Sequence, residues 1–422
     1  MRITLLRRDH RKIRDDDNHM TPTNPVAIED SHLAQVYAKR AVTMIRGAGS
    51  LLYDSSGKEY VDCAGGYGTC IVGHSHPKVV EAICQQAEKL TSCHGSFYND
   101  ARAAFVEKLV SIAPSELSRV YLGNSGAEAV EAAIKIARKS TGKKQIIAAK
   151  GGFHGKTHGA LSATWDTKYR KSFEPLVPGF AHIPFNDTEA AKTSIASDTA
   201  AVLVEPVQGE GGVRIPAPDW LPTLYDLTRD RGALLILDEI QTGFGRTGKM
   251  FASEHFGVQP DILCLGKGIA SGLPIGVTLA SDRIMSSLAK GEHTSTFGGN
   301  PIVSAAGAAT IDALLEDRLV DNASVTGLYF KERLAKLQQE YSIIRETRGL
   351  GLMLAVENRF DVYTLLQKTL EDGVVILDAG RNILRFLPPL CITRPEVDRV
   401  ITALDDALEA EQVARVPSQA IA

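Results

Sequence analysis

LLILDEIQTGFGRTGKM, residues 234–250, joins an uninterrupted apolar run to two carboxylates and a set of closely spaced glycines. Such a run is typical of a strand buried on both faces, as in a parallel sheet covered by helices. The glycines between 243 and 248 match the G-x-G-x-x-G pattern of dinucleotide-binding loops, and with Lys249 they match most of a triphosphate-binding loop. The stretch therefore raises two alternatives: a nucleotide site at the glycines, or a catalytic site at Asp238 and Glu239.

Neither nucleotide motif is complete. A dinucleotide loop needs its first glycine at the end of the strand and a helix that begins inside the motif, but residues 240–242 intervene and no long helical pattern follows. A triphosphate loop needs Ser or Thr after its lysine to hold magnesium, and Met250 stands there. A second near match, KGGFHGKT at 150–157, has Lys150 where the first glycine belongs. The sequence therefore disfavours nucleotide binding.

Short apolar strands alternate with helical patterns along most of the chain. The predicted strands are RVYLGN (119–124), QIIAAK (145–150), AAVLVEP (200–206), ALLILDE (233–239), DILCLGK (261–267) and IGVTLAS (275–281). Between them, apolar residues at helical spacing predict helices such as HPKVVEAICQQAEKL (76–90) and GAEAVEAAIKIARKS (126–140). This alternation predicts an α/β fold with a mostly parallel sheet and helices on both faces.

The pattern changes toward both ends of the chain. Residues 1–20 are basic and then acidic, which predicts a disordered extension and not a signal peptide. We expect residues 21–75, with a predicted hairpin SLLYDSSGKEYVDC (50–63), to join residues 311–422 in a smaller α+β domain. Residues 76–310 form the predicted large domain. Further helices are predicted near 301–316, 320–341, 362–372 and 395–411.

Composition and charge disfavour several classes of protein. The 422 residues carry a net charge of −3, which gives no electrostatic reason to expect nucleic acid or an anionic membrane as partner. No apolar run approaches the length that spans a membrane. The six cysteines include no C-x-x-C pair, and Cys93 and His94 with His74 and His76 fit no zinc spacing. We therefore expect a cytoplasmic protein with reduced thiols and no metal site.

Two charged residues follow buried strands. Asp238 ends one predicted strand and Lys267 ends another, so both reach the edge of the sheet where open α/β folds bind ligands. A lysine desolvated at such a site becomes a usable amine nucleophile. An aldehyde cofactor, pyridoxal 5′-phosphate, needs this pair: a lysine that forms a Schiff base and a carboxylate for the pyridinium nitrogen. GNSGAEA (123–129), a glycine-rich turn that opens a helix, supplies a site for the phosphate.

The chain resembles the class III (ornithine/acetylornithine-type) pyridoxal-phosphate aminotransferases over roughly residues 35–412. The matching stretches are NSGAEAVEAAIKIAR, FHGKT, EPVQGEGG, LDEIQTGFGRTGK, GKGIASGLPIG, STFGGNP, RGLGLM and LRFLPPL. The resemblance implies the type I aminotransferase fold, with a large cofactor domain and a small domain built from both chain ends. It also implies an obligate homodimer.

The resemblance implies roles for particular residues of this chain. Lys267 would be the Schiff-base lysine and proton shuttle, and Asp238 would pair with the pyridine nitrogen. Phe153 would stack on the cofactor ring, and Gln241 would bind its phenolic oxygen. The other implied contacts are Gly126 and Ala127 at the phosphate, Glu239 at the cofactor, and, from the neighbouring subunit, Thr296 at the phosphate with Ser295 beside it near the substrate.

Three further residues are implied in substrate binding. Arg385, on the strand LRFLPPL, would take the α-carboxylate of glutamate or 2-oxoglutarate, because a guanidinium binds a carboxylate bidentately. Glu210 would pair with Arg385 when the ω-amino substrate enters. Lys156 stands where many acetylornithine enzymes have an arginine for the substrate's distal carboxylate. The lysine keeps the charge but loses the bidentate geometry.

Residues 141–179 and 291–300 look most like archaeal enzymes of lysine and arginine synthesis, which act on intermediates attached to a small acidic amino-group carrier protein. A basic cluster beside the pocket would suit the acidic tail of such a carrier; its members are Lys156, Lys168, Arg170 and Lys171. We therefore expect an ω-aminotransferase of lysine and/or arginine biosynthesis that uses glutamate and 2-oxoglutarate. The alternatives are an ornithine, 4-aminobutyrate or glutamate-semialdehyde enzyme of the same family, or a non-catalytic nucleotide-binding protein with this fold.

Overall fold

The strands form three sheets within residues 24–415, the part of the chain that the computed structural model describes. The extension predicted at residues 1–20 lies outside this range. In chain order the strands are β1 (Met44–Ala48), β2 (Leu51–Asp54), β3 (Glu59–Asp62), β4 (Arg119–Gly123), β5 (Gln145–Ala149), β6 (Phe180–Ile183), β7 (Thr199–Val204), β8 (Leu234–Asp238), β9 (Ile262–Leu265), β10 (Gly276–Ala280), β11 (Ile344–Leu350), β12 (Met353–Asn358), β13 (Val374–Val375), β14 (Leu377–Asp378) and β15 (Ile383–Phe386).

Helices connect these strands and cover the sheets. The α-helices are Pro25–His32, Gly65–Gly68, Pro77–Lys89, Asp100–Ile112, Gly126–Thr141, His158–Ala163, Thr167–Arg170, Thr188–Ser194, Trp220–Arg231, Asp282–Met285, Pro301–Glu316, Leu319–Glu340, Tyr363–Glu371 and Arg394–Arg415. Short 3-10 helices span Lys171–Phe173, Ala252–Phe256 and Lys267–Ala270. None of the helices between residues 24 and 415 has the length and apolar character needed to cross a membrane.

The largest sheet has seven strands in the order β4-β10-β9-β8-β7-β5-β6. The pairs from β9 to β6 are parallel, whereas β10 runs antiparallel to both β4 and β9. Along β7, Val202 and Val204 pack into one apolar cluster, and Ala201 and Leu203 pack into another. Because successive side chains of a strand point to opposite faces, both faces of the sheet are covered. This confirms the predicted α/β fold with a mostly parallel sheet.

The six strands predicted for this sheet all form, with ends that shift by one or two residues. The sequence analysis missed β6, because its FAHI sequence is short and mostly half-buried at the edge of the sheet. The predicted C-terminal helices also form, and the last one is longer than predicted, at Arg394–Arg415. Short length, a half-buried edge position and one histidine therefore distinguish β6 from the apolar runs that mark the other strands.

The two ends of the chain meet in one small sheet, ordered β1-β2-β3-β13. The predicted hairpin is confirmed, because β2 and β3 pair antiparallel with Leu52 opposite Tyr60. β3 also pairs in parallel with β13, which places Val61 opposite Val374. A second small sheet, β11-β12-β15-β14, is antiparallel and comes entirely from the C-terminal part. The exact division into domains at residues 76 and 310 stays a prediction.

Candidate active site

A cavity of about 190 Å³ opens at the carboxyl edge of the large sheet. Asp238 is the last residue of β8, Glu205 directly follows β7, and Lys267 comes two residues after β9. The structure thus brings strand ends from separate parts of the chain to one place. The predicted residues that line the cavity are Gly126, Ala127, Phe153, Glu210, Asp238, Gln241 and Lys267.

The helix Gly126–Thr141 begins at this cavity. Ser125 caps it, because its Oγ accepts a hydrogen bond from the amide of Glu128 at 3.2 Å. A Cβ atom at Gly126 would lie 2.9 Å from the side chain of Ile240, so this close approach requires glycine. The first amides of a helix have no partner within it, and the helix dipole favours an anion there. The geometry therefore fits the predicted phosphate site.

Lys267 lies beside this helix terminus. A Cβ atom on the preceding residue, Gly266, would lie 3.3 Å from the Cα of Gly126, so the two segments are in close contact. Lys267 has a φ of 46°, an unusual conformation for a residue with a side chain. Burial lowers the pKa of its amine. A desolvated amine at this position is suited to bind an aldehyde carbon.

Asp238 contacts a histidine that the sequence analysis did not single out. Oδ1 of Asp238 accepts a hydrogen bond from the amide of Ile240 at 3.1 Å, and Oδ2 lies 2.8 Å from Nδ1 of His154. Burial lowers the pKa of His154, but the hydrogen bond with Asp238 and the negative charges of Asp238 and Glu205 together outweigh burial and raise it. Nε2 of the same ring is buried and has no hydrogen-bond partner in the described part of the chain. The sequence offered one signal for a role of His154 in the site: it directly follows Phe153, a predicted cofactor contact.

Glu205 is a second cavity residue that the sequence analysis missed. Its side chain is buried, and its two oxygens accept hydrogen bonds from the amides of Phe153 at 3.0 Å and Gly209 at 2.8 Å. Burial raises the pKa of Glu205 to about 7. Like Asp238, it is a carboxylate at the end of a buried strand, and this was the signal that could have identified it.

Arg385 and Glu210 form an ion pair at the cavity. Arg385 lies on β15 with a side chain that is 0% exposed, and its Nη1 is 2.6 Å from Oε1 of Glu210. The same Nη1 is 3.4 Å from Oε1 of Gln241, whereas Nε and Nη2 of Arg385 are buried without hydrogen-bond partners among residues 24–415. The ring of Tyr67 lies 6.0 Å from the guanidinium carbon, a contact that the sequence did not indicate. The guanidinium therefore keeps unsatisfied donors for a further acceptor.

Lys156 lies at the surface near Phe153. Its Nζ is 5.2 Å from the ring centroid of Tyr169, and Nζ of Lys168 is 4.7 Å from the same centroid. The ring of Tyr169 in turn packs edge-on against Phe153, with 5.4 Å between centroids. Two members of the predicted basic cluster therefore share one aromatic ring that contacts the wall of the cavity.

Glu239 is not among the residues that line the cavity, and its predicted contact with the cofactor stays a prediction. Its carboxylate accepts hydrogen bonds from the amides of Ala252 at 2.6 Å and Ser253 at 2.9 Å, and from the hydroxyl of Thr242 at 3.2 Å. Side chains of consecutive extended residues point to opposite sides, so the residue after Asp238 faces away from the cavity. Glu239 therefore anchors the loop that follows the glycines.

Ser295 and Thr296 lie outside the cavity of their own chain. Oγ of Ser295 accepts hydrogen bonds from Nδ2 of Asn124 at 3.1 Å and from the amide of Gly298 at 2.9 Å. Thr296 is exposed, as is the adjoining Phe297. Their contribution to the site of a neighbouring subunit stays a prediction.

The glycines of residues 243–248 pack against a helix. A Cβ atom at Gly245 would lie 2.9 Å from Val320, and one at Gly248 would lie 3.0 Å from Ser324. Both glycines have positive φ, at 85° and 84°, a conformation that favours glycine. Val320 and Ser324 belong to the helix Leu319–Glu340. The glycines thus allow a tight contact between loop and helix, and they do not line the cavity.

Two of the three histidines considered for zinc pair with carboxylates, whereas Nδ1 of His94 lies 2.9 Å from Oγ of Ser96. Nε2 of His74 lies 2.6 Å from Oδ2 of Asp62, and Nε2 of His76 lies 2.9 Å from Oδ2 of Asp317. Between residues 24 and 415, no group of three or more His, Cys, Asp or Glu side chains is arranged to hold a metal ion.

The known proteins that this chain resembles in sequence are aminotransferases. Residues 33–408 match the family described as aminotransferase class-III. The acetylornithine aminotransferase of Methanopyrus kandleri is 43% identical over 383 residues, which cover 90% of this chain and 98% of that protein. The LysW-aminoadipate semialdehyde transaminase of Deinococcus radiodurans is 42% identical over 394 residues, which cover 93% of this chain and 91% of that protein.

Solved structures agree with these relatives. The ornithine aminotransferase of Toxoplasma gondii superimposes with a TM-score of 0.89 at 35% identity, covering 92% of this chain and 95% of that one. The acetylornithine aminotransferase of Elizabethkingia anophelis gives a TM-score of 0.82 at 33% identity, covering 91% of this chain and 98% of that one. The likeness therefore extends over nearly the whole described structure.

The cavity fits pyridoxal 5′-phosphate on its own geometry, because a desolvated lysine, a buried carboxylate and a helix terminus that requires glycine converge there. With the type I fold, these features define a transaminase that depends on this cofactor. The chain belongs to the class III aminotransferase family.

Proposed function

We propose that this enzyme transfers an ω-amino group between a lysine- or ornithine-type substrate and 2-oxoglutarate, with glutamate as the other amino acid, in lysine and/or arginine biosynthesis. The second amino group of the substrate would carry an acetyl group or a link to a small acidic carrier protein. The names of relatives support both forms: acetylornithine for the Methanopyrus kandleri protein, and LysW-aminoadipate semialdehyde for the Deinococcus radiodurans protein. We expect the enzyme to act in the cytoplasm.

The ion pair between Arg385 and Glu210 is the observation that carries this proposal. Glutamate brings an α-carboxylate close to the reacting amine, whereas an ω-amine substrate brings no carboxylate there. A buried guanidinium left without a partner is unfavourable by about 3–5 kcal/mol. Glu210 can supply the missing charge, and its side chain is 24% exposed, which leaves room for it to move aside. The pair therefore suits an enzyme that accepts both substrate classes in one pocket.

The other cavity residues have separate roles in this proposal. When bound, pyridoxal 5′-phosphate supplies an electron sink for the negative charge that forms at the substrate carbon. Lys267 would hold the aldehyde carbon and carry a proton at Nζ, a role that suits an amine whose pKa is lowered by burial. Asp238 would keep the pyridine nitrogen protonated. Phe153 would cover the ring face, and Gln241 would bind the phenolic oxygen.

Lys156 and Lys168 support the carrier-linked form of the substrate. Both ammonium groups lie over the ring of Tyr169 beside Phe153, and Nζ of Lys168 also lies 3.1 Å from Oδ2 of Asp166, so Lys156 is the ammonium without a carboxylate partner among the described residues. Acetylornithine has one distal carboxylate to offer, whereas an acidic tail offers several. We therefore favour a carrier protein as the partner at this surface.

We also propose a homodimer with shared active sites. Thr296 would complete the phosphate site of the neighbouring subunit, and Ser295 would lie near its substrate. Two large apolar residues are exposed in the segments that contain Ser295, Thr296 and residue 98: Phe297 is 64% exposed and Phe97 is 70% exposed. Exposed apolar patches of this kind often mark protein interfaces. Sedimentation should give about twice the chain mass of 45.5 kDa, and a monomer would contradict the dimer.

A substrate panel tests the proposed function. The purified enzyme with its cofactor is mixed with 2-oxoglutarate and, in turn, with acetylornithine, carrier-linked lysine, carrier-linked ornithine, free ornithine and 4-aminobutyrate. We expect the highest kcat/KM for a carrier-linked or acetylated substrate, and glutamate as product. A clear preference for 4-aminobutyrate or free ornithine would assign the enzyme to another branch of the family. The absence of transamination with every substrate would contradict the proposal as a whole.

A further inference from the structure

Glu205 joins two loops of the active site. It follows β7, its side chain is 6% exposed, and its carboxylate accepts hydrogen bonds from two backbone amides. One amide belongs to Phe153 in the cavity wall, and the other belongs to Gly209, the residue directly before Glu210. A single buried carboxylate therefore fixes both the aromatic wall and the backbone that carries Glu210.

The two loops are interlocked around this carboxylate. Nε2 of Gln208 donates a hydrogen bond to the carbonyl of Lys150 at 2.9 Å. A Cβ atom at Gly151 would lie 2.7 Å from Oε1 of Gln208, and one at Gly211 would lie 2.7 Å from the carbonyl of Gly151. The two loops therefore pack closely against each other at these glycines. The position of Glu210 therefore depends on contacts made several residues earlier.

We propose that Glu205 is a positioning residue that sets the preference of the enzyme between glutamate and the ω-amine substrate, by holding Gly209 and thereby keeping Glu210 against Arg385. This inference rests on the proposed function, because it concerns the same Glu210–Arg385 pair. An ionised carboxylate accepts hydrogen bonds at both oxygens, whereas a protonated one has a hydroxyl that faces one amide as a donor. Protonation of Glu205 thus weakens one of its two backbone contacts. When the contact to Gly209 weakens, Arg385 becomes free for a substrate carboxylate.

The surroundings of Glu205 bring its pKa close to neutral pH. Three titratable groups face it from the neighbouring segments: His154, Asp238 and Lys267. Burial raises the pKa of Glu205 to about 7, although the positive charge of His154 opposes this shift. The ionised form, which holds Glu210 at Arg385, therefore dominates above pH 7. The preference for the ω-amine over glutamate should rise as the pH rises through neutrality.

Single-turnover kinetics of the enzyme with its cofactor measure this preference. The two half-reactions, one with glutamate and one with the best ω-amine of the substrate panel, are followed from about pH 6 to about pH 8.5. In the wild type, the ratio of their kcat/KM values should change roughly tenfold, which corresponds to the loss of one charged hydrogen bond. In Glu205→Gln the ratio should stay at the low-pH value at every pH. In Glu205→Asp, which keeps the charge, the ratio should again depend on pH.

Glu239→Gln is the matched control. Glu239 is equally buried, its pKa is also raised by burial to about 7, and it also accepts two backbone amides, but it faces away from the cavity. This variant should lose stability without any change in the substrate ratio. A ratio that changes equally in Glu239→Gln and Glu205→Gln would overturn the proposal, since a general loss of rigidity would then explain both.

Amide hydrogen exchange gives a readout that does not depend on turnover. After correction for the intrinsic effect of pH, protection of the peptide over residues 205–211 should fall in the wild type below about pH 7 and be low throughout in Glu205→Gln. Unchanged protection, or a pH-dependent ratio that survives in Glu205→Gln, would overturn the positioning role. If both half-reactions fail in the wild type, the proposed function is wrong, and the exchange result still tests the contact to Gly209.

Discussion

Nδ1 of His154 lies 2.8 Å from Oδ2 of Asp238, and both side chains are almost completely removed from solvent. The hydrogen bond to Asp238 raises the pKa of His154 against the effect of burial. The ring thereby orients the carboxylate whose proposed partner is the pyridine nitrogen. Asp238 also accepts the amide of Ile240, so its position is fixed from two sides.

Replacement of this histidine tests the contact. His154→Phe leaves the carboxylate with one partner, and we expect kcat to fall about tenfold while cofactor stays bound, because one charged hydrogen bond is lost. His154→Asn places an amide donor near the former Nδ1 and should recover part of the rate. The pH titration of the bound cofactor's absorbance should shift in the Phe variant. An unaltered titration together with wild-type kcat would limit His154 to a packing role.

Lys267→Ala should abolish transamination and leave the fold intact. The covalent anchor and the proton carrier are lost, and no other lysine lines the cavity among the described residues. Borohydride treatment followed by mass spectrometry should attach cofactor to a peptide containing residue 267 in the wild type and to none in the variant. Lys249→Ala, at an exposed position in the glycine loop, serves as the control and should keep full activity. Substantial turnover in Lys267→Ala would show that another lysine is the anchor.

Glu210→Ala and Arg385→Ala should have opposite effects on the two half-reactions. Without Glu210, Arg385 has no carboxylate partner when the ω-amine is bound, so that half-reaction should slow by about tenfold or more. The glutamate half-reaction should stay the same or become faster. Arg385→Ala removes the α-carboxylate site and should slow glutamate most. Single-turnover absorbance changes with each substrate measure both, and equal losses in all four combinations would contradict the exchange of partners at Arg385.

His74 predicts a pH dependence of stability. Burial lowers the pKa of His74, but the hydrogen bond with Asp62 and the electrostatic interactions with Asp62 and Cys70 together outweigh burial and raise it to about 10. A raised pKa stabilises the folded state fully below the unfolded value of about 6.5, and the stabilisation is lost as the pH rises through about 10. The free energy of unfolding should therefore fall by about 1–3 kcal/mol between pH 7 and pH 10, a range that allows for partial solvent screening.

Urea titrations at several pH values measure this decline. In His74→Gln the pH dependence should be clearly smaller than in the wild type. The matched control is His76→Gln, because His76 pairs with Asp317, whose side chain is 43% exposed, and such pairs contribute little. Parallel curves for the wild type and His74→Gln would show that the His74–Asp62 pair does not govern stability in this range.

The parts of the site that could be predicted are those tied to the ends of buried strands. An uninterrupted apolar run marks a central strand, and the charged residue after it must reach the carboxyl edge of the sheet, which located Asp238 and Lys267. The family resemblance then supplied Glu210 and Arg385, and the structure places them in contact. The variants Glu210→Ala and Arg385→Ala test the roles of both residues in binding glutamate and the ω-amine substrate.

The parts that could not be predicted depend on side-chain direction and on loops. Glu239 shares a motif with Asp238, but it faces the opposite side and anchors a loop. His154 contacts Asp238 through a hydrogen bond between residues distant in sequence, and no local spacing encodes that contact. Glu205 follows a buried strand, so its position could be predicted, but its hydrogen bond to the amide of Phe153 could not. β6 was not predicted, because an edge strand needs fewer apolar residues than a central one.

The pairing of β3 with β13 has a consequence for how the protein is made. The ribosome completes β3 early, but the strand that closes its free edge emerges only after most of the chain has been synthesised. During that interval the nascent N-terminal hairpin presents an open edge, which is a template for aggregation with other chains. Closure of so long a loop also raises the contact order and slows folding. The edge of β3 therefore stays open until Val374 and Val375 have been synthesised.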